Sequence, residues 1–238
     1  MADFKLFKSF PRTYWMANTM ELFERWAYYG MFAVLALYLT GSKETGALGF
    51  SQVQKGQIMG YVTFILYFLP VITGAIADKF GYKKVLLIAY IILSTGYYLM
   101  GKVESFPMVF MVFLFVAIGA ALFKPVISAT VARTTNESNS SVGFGIFYMI
   151  VNIGAFVGPV FASKLRESSW NYVFMMSSGI ILINIILLMF YKEPEREKND
   201  DGIALMIKKI FINIFTVIKD FKFLTFLIIV IGFWTMYW

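Results

Sequence analysis

The sequence predicts an all-α membrane protein, and three observations carry that prediction. Hydrophobic residues make up 59% of the 238 positions and charged residues only 15%. A soluble domain carries about a quarter charged residues. The apolar residues gather into six runs, each near the roughly 20 residues that a helix needs to cross about 30 Å of hydrocarbon. Lys and Arg concentrate on alternate connections: 14 lie at the N-terminus and in segments 78–84, 132–141 and 192–222, against 5 in 41–56, 101–107 and 164–171. That bias places the N-terminus in the cytoplasm of a multi-pass protein of the cell membrane. The chain has no Cys and no His. Disulfides, thiolate metal sites and cysteine nucleophiles are thereby excluded, and proton chemistry near neutral pH is left to carboxylates and lysines.

Taken in order, the first run is 14–40, long, charged and without a small-residue cleavage site, so it is not a signal peptide. The second, 57–77, contains Tyr67 just ahead of Pro70, a hinge point. The third spans 85–100. The fourth, 108–131, holds Lys124 and Pro125 behind the small residues Gly119, Ala120 and Ala121, which admit a neighbouring helix closely. The fifth, 142–163, carries Asn152, the close-packing pair Gly154 and Gly158, and Pro159, where the helix can bend. The sixth is 172–191. Two sequons, at Asn136 and Asn139, fall on a cytoplasmic connection and are expected to stay unmodified.

The first 191 residues are therefore expected to form a six-helix bundle. Segment 192–222 then reads as a cytoplasmic linker with two parts. A charged stretch, "KEPEREKNDDG", precedes a helix whose Lys209, Asn213, Thr216 and Asp220 share one face while the other is apolar. Such a helix lies on the membrane surface; a short extra span is the competing reading, weakened by Lys208, Lys209 and Lys219. A seventh run opens at Phe223 and reaches Trp238, the start of a truncated span.

The stretch "ELFERWAYYG" puts Glu21, Glu24 and Arg25 inside the first span, on the same helical face as Tyr28 and Phe32. A charge at the bilayer centre costs about 2.5–3.5 kcal/mol on the insertion scale, so three unpaired ones approach a whole domain's stability. These side chains need partners or a wet cavity. Lys124 sits too deep in its span to snorkel easily and is the natural partner. Two carboxylates and two cations form a nearly neutral set. Protonating one glutamate leaves a positive charge that an arriving anion can satisfy, so proton and anion favour one another. A structural ion-pair knot is the plain alternative. Tyr67 suits either packing or ligand contact, and Asn152 suits either a ligand or an interhelical hydrogen bond.

These residues resemble the proton-dependent oligopeptide transporters of the major facilitator superfamily. "ELFERWAYYG" is similar to their first-helix motif E-x-x-E-R-F-x-Y-Y-G, with Trp26 in place of phenylalanine. "GAIADKFGYKK" (74–84) resembles the superfamily loop between helices two and three, and "FKP" (123–125) the fourth-helix lysine-proline. "FYMIVNIGA" (147–155) is similar to the fifth-helix signature, and "FWTMYW" (233–238) to the opening of the seventh-helix motif. The resemblance implies the N-terminal six-helix bundle of a major facilitator superfamily fold plus the start of helix seven, with a C-terminal six-helix bundle lying outside this chain. It implies symport of di- and tripeptides with protons by alternating access, with no cofactor beyond the coupling proton, no metal and no enzymatic step. Glu21, Glu24, Arg25 and Lys124 would couple protons; Arg25, Tyr28, Tyr29, Tyr67, Lys124, Asn152 and Trp234 would meet the peptide; Asp78 and Gly81 would belong to a gating loop. Expected partners are a small peptide and the lipid bilayer, with no nucleic acid. Phe32 stands where the family usually has arginine, which favours more apolar peptides or another small nitrogenous or anionic solute. A non-transporting sensor on the same fold is the other alternative.

Overall fold

A computed structural model of the chain describes residues 7–195 and 202–237. Among them there are nine α-helices and no strand. Residues 7–195 form one compact unit and residues 202–237 another. The first holds α1 (Arg12–Thr40), α2 (Gln52–Phe68), α3 (Pro70–Phe80), α4 (Tyr82–Met100), α5 (Phe106–Arg133), α6 (Ser140–Ser168) and α7 (Trp170–Phe190). The second holds α8 (Ile203–Ile218) and α9 (Phe221–Tyr237).

Helices α4 to α7 are each long and apolar enough to cross a membrane. The second expected span is two helices, α2 and α3, bent by 44° at the break and together long enough for a fifth crossing. Pro70 opens α3, where its missing N–H costs no intrahelical bond. The α2 start lies earlier than the hydropathy suggests, because Ser51 and Gln54 close a capping box, each side chain accepting from the other's backbone N–H. The S-x-x-Q spacing was there to be read. Helix α1 is 29 residues long but less apolar than these, because Glu21, Glu24 and Arg25 lie within it.

Helix α1 packs against α6, α7 and α5; α4 packs against α5 and α7; α2 and α3 lie on α5. Small residues set how close these helices come. A Cβ on Gly158 would lie 2.6 Å from both Gly30 N and Trp26 O, so α6 crosses α1 backbone to backbone. A Cβ on Gly154 would meet Leu22 O at 3.0 Å, and one on Gly119 would meet Ala89 O at 3.2 Å where α5 passes α4. Pro125 and Pro159 sit inside α5 and α6, which remain helical through both rather than opening. Single hydroxyls and amides then stitch the helices: Thr73 donates to Ala121 O at 2.6 Å, Ser177 to Ala27 O at 2.9 Å, and Asn184 to Met20 O at 2.9 Å.

In the second unit α8 ends at Ile218, so Lys209, Asn213 and Thr216 keep the polar stripe while Asp220 lies beyond the helix. Asp220 instead accepts from Lys222 N at 2.9 Å near the start of α9. Most of the charged stretch 192–202, residues 196–201, lies outside the described residues, as does the closing Trp238.

Candidate functional site

The side chains of Glu21 and Glu24 are fully buried, and both belong to α1. Burial of two carboxylates in one helix demands cations, and the bundle supplies two. Lys124 of α5 donates from Nζ to Glu21 Oε1 at 2.5 Å. Arg25, one helical turn on from Glu21, approaches the same oxygen at 3.4 Å from Nε. The guanidinium also grips Glu24 Oε2 with both Nε and Nη2 at 2.5 Å. Glu21 Oε1 therefore bridges the two cations, and Arg25 bridges the two carboxylates. The snorkelling alternative for Lys124 fails: its amine turns inward to a partner 103 residues away in sequence.

The cluster is open on one side. The Arg25 side chain is 12% exposed and that of Lys124 37%. Aromatic faces complete the cation environment: the Arg25 guanidinium lies 5.0 Å from the Tyr28 ring centre and 5.7 Å from that of Tyr29, and Lys124 Nζ lies 4.9 Å from Phe147. Phe32 stacks on Tyr28 at 5.5 Å with the rings 12° apart. On the charged face, then, an aromatic ring follows the charges and extends an apolar floor of Tyr28, Phe32, Val62, Leu66 and Phe113.

The arrangement is not closed electrostatically. Glu21 Oε2 and Glu24 Oε1 are buried and accept no hydrogen bond. Each carboxylate thus has one oxygen held by cations and one without a hydrogen-bond partner.

The other expected site residues are placed as follows. Tyr67 is the penultimate residue of α2, at the α2–α3 break, and is 77% exposed, so it is not packed in the core of this unit. Asn152 is exposed on α6 and donates to Tyr148 O, four residues back in its own helix, at 2.9 Å. The interhelical hydrogen bond anticipated for it does not form, because the side chain faces outward from the bundle. Trp234 lies in the second unit, 51% exposed, with its ring edge-on to Phe233.

Asp78 and Gly81 lie at the α3–α4 turn. Gly81 has φ +103°, a conformation that only glycine adopts freely, so the residue is required by the turn. Asp78 Oδ1 accepts from Tyr82 OH at 2.8 Å and faces Arg133 Nη2 at 3.8 Å. Sequence reading missed Arg133 and Glu193 here. Arg133 closes α5 and donates to Tyr82 OH at 3.1 Å, while Glu193 caps α4 by accepting from Tyr82 N at 2.9 Å and Lys83 N at 3.4 Å. No local pattern announces a cap from 111 residues away. Among the described residues no three of His, Cys, Asp and Glu gather into a metal site.

The family model of the Major Facilitator Superfamily matches residues 15–238. The chain belongs to the major facilitator superfamily. Dipeptide and tripeptide permease A of Erwinia pyrifoliae is 27% identical over 197 residues, which are 81% of this chain and 39% of that protein. The Escherichia coli K12 protein of the same name is 29% identical over 185 residues, 76% of this chain and 36% of its own length. Among solved structures, a POT family transporter in complex with 5-aminolevulinic acid aligns with TM-score 0.74 at 22% identity, over 95% of this chain and 47% of that one. A peptide transporter POT in complex with sulfate aligns with TM-score 0.71 at 21% identity, covering 87% and 46%. The chain thus spans about two fifths of the length of these curated relatives and just under half of these solved chains. The fold is that of this transporter superfamily, and the chain is a multi-pass membrane protein whose named relatives are peptide transporters.

Proposed function

We propose that this chain is the N-terminal part of a proton-coupled symporter that imports di- and tripeptides by alternating access. In this reading residues 1–191 are the first bundle, 192–222 the cytoplasmic linker and 223–238 the start of helix seven. A C-terminal six-helix bundle completes the cavity, and the N-terminus is cytoplasmic. The observation that carries the reading is the buried set of Glu21, Glu24, Arg25 and Lys124, with one unpartnered oxygen on each carboxylate.

The geometry supports a specific exchange. A proton on Glu21 cancels the charge that holds Lys124, the most exposed member of the set at 37%. A proton on Glu24 likewise loosens Arg25. Either event leaves a cation facing the open side in a low-dielectric site, and the carboxylate of a peptide is the group that restores neutrality. Loading of proton and cargo then reinforce each other, and both leave when the site opens to the other side. Tyr28, Tyr29, Tyr67, Asn152 and Trp234 are the side chains assigned to the remainder of the peptide, with Asp78 and Gly81 in the gate. A second reading, a different small nitrogenous solute, is favoured by Phe32, whose ring stacks on Tyr28 within this face.

The test is dialanine uptake by the complete transporter in proteoliposomes under an inward proton gradient. The expected result is accumulation that stops when the gradient is collapsed and that is lost in Glu24→Gln and in Lys124→Ala. Uptake indifferent to the gradient, or intact in both folded variants, overturns the reading.

A further inference from the structure

The start of α4 carries a cation that neither the fold nor the charged set on α1 and α5 accounts for. Its first turn holds Lys83 and Lys84 and no acidic residue. Cations there oppose the helix macrodipole, which favours anions at an N-terminus. Lys83 has a compensating place: its Nζ donates at 3.3 Å to both Met189 O and Tyr191 O, at the end of α7, where a cation is favoured. Lys84 has none. Its side chain is exposed and, among the described residues, makes no hydrogen bond or ion pair. Beside these lysines α4 and α7 pack together and leave a groove of about 210 Å³. Its walls are Leu87 of α4 and Ile185, Leu188 and Met189 of α7, with the two lysines at the end where α4 begins. Leu188 is buried and forms the floor, while Leu87 is 41% and Met189 73% exposed, so the groove opens outward between two helices apolar enough to cross a membrane.

Resting on the cytoplasmic N-terminus of the proposed function, we propose that this groove binds an anionic phospholipid of the cytoplasmic leaflet. The phosphate lies against Lys84 and one acyl chain runs along Leu87, Leu188 and Met189. Charge complementarity selects the occupant. The cytoplasmic leaflet is the anionic one, and basic pockets between membrane helices on that side suit anionic headgroups. A phosphate supplies the counter-ion that Lys84 lacks and places negative charge at the α4 N-terminus, where the dipole favours it. The apolar walls favour a lipid over free phosphate. A second helix is too thick for the slot: at about 10–12 Å across and 5.4 Å per turn, one turn needs roughly 400 Å³ or more. The bound lipid joins α4 to the end of α7 beside a link the chain already makes, where Glu193 accepts from Tyr82 N and Lys83 N.

The experiment is native mass spectrometry of the full chain in detergent, titrated with dioleoylphosphatidylglycerol, dioleoylphosphatidylcholine or inorganic phosphate. Circular dichroism checks that each variant keeps its helix content. The first phosphatidylglycerol is expected to bind at least about five-fold more tightly than phosphatidylcholine, and phosphate alone not to be retained. Lys84→Gln should weaken phosphatidylglycerol about five-fold, the worth of one lysine beside an anionic surface, and Lys84→Arg should restore it. Met189→Trp, which fills the groove without changing charge, should weaken both lipids. Equal losses in Lys84→Gln and in Lys222→Gln, a cation of the second unit, overturn the proposal, because they mean attraction without a site. Unchanged binding in Met189→Trp, or a chain–chain dimer that this variant abolishes, overturns it as well. Topology is tested apart from affinity: the chain has no Cys, so a polar maleimide reports Lys84→Cys alone. Labelling from outside intact cells overturns the cytoplasmic N-terminus and with it the leaflet named here. Protection outside, with labelling once the membrane is opened, supports both.

Discussion

Two of the polar contacts that cross the interior of the first unit are built on opposite principles. Between α4 and α7, Ser94 and Ser178 exchange hydrogen bonds: Ser178 Oγ donates to Ser94 O at 2.8 Å, and the two hydroxyls meet at 3.0 Å. Each hydroxyl is neutral and satisfied. Between α1 and α5, the Glu21–Lys124 contact is charged, shares Arg25 with Glu24, and leaves two carboxylate oxygens unpaired. The serine pair only fastens two helices, because nothing that binds nearby would change it. In the function proposed above, the charged set would change when a proton or an anion arrives, because its members share partners. Satisfied neutral pairs hold a membrane bundle together; incompletely satisfied charged sets let it respond.

The hardest way to break this contrast is to remove the bridging carboxylate. Glu21→Ala leaves the partly exposed Lys124 without its anion, and stability is expected to fall by about 1–3 kcal/mol in thermal unfolding, with proton-driven uptake abolished. The paired change Glu21→Gln with Lys124→Met sharpens the point. It should recover most of that stability and none of the uptake, since it removes both charges together. If the paired variant still accumulates dialanine, the charged set is structural.

A steric test comes next. Gly158→Leu pushes side-chain atoms into Gly30 and Trp26 backbone at the α1–α6 crossing, with a Cβ contact of 2.6 Å before the rest of the side chain is added. Overpacking of this kind costs about 1–3 kcal/mol. It is expected to reduce uptake as well as stability, because α1 carries Glu21, Glu24 and Arg25. Smallest should be Ser94→Ala, at about 0.6 kcal/mol, the average for one interhelical hydrogen bond in a bilayer, with the pH dependence of uptake unchanged. A shift in that pH dependence would join the serine pair to the charged set and dissolve the distinction.

Much of this was legible before any coordinates. Hydropathy marked the helices because a bilayer imposes one length on every crossing. Gly154 and Gly158 announced a close approach, since two small residues one turn apart serve no other purpose in an apolar run. The α2–α3 break was less legible: Pro70 signals a hinge, but whether a helix bends or divides there depends on what lies beside it. The choice between a ligand and an interhelical bond for Asn152 was not legible, because helical spacing does not say which face a neighbour covers. Glu193 and Arg133 gave no local sign at all, as their partners lie 111 and 51 residues away along the chain.

By itself the sequence decided the class of protein and the inventory of the site. A chain with this much apolar length has to span a membrane, and the few charges it keeps within its spans have to find one another. Only the tertiary structure decided who pairs with whom. The crossing of α1 with α5 brings Lys124 to Glu21 rather than Glu24. Helical periodicity fixes which side chains share a face, but the rotation and depth of one helix against the next come from how all of them pack at once.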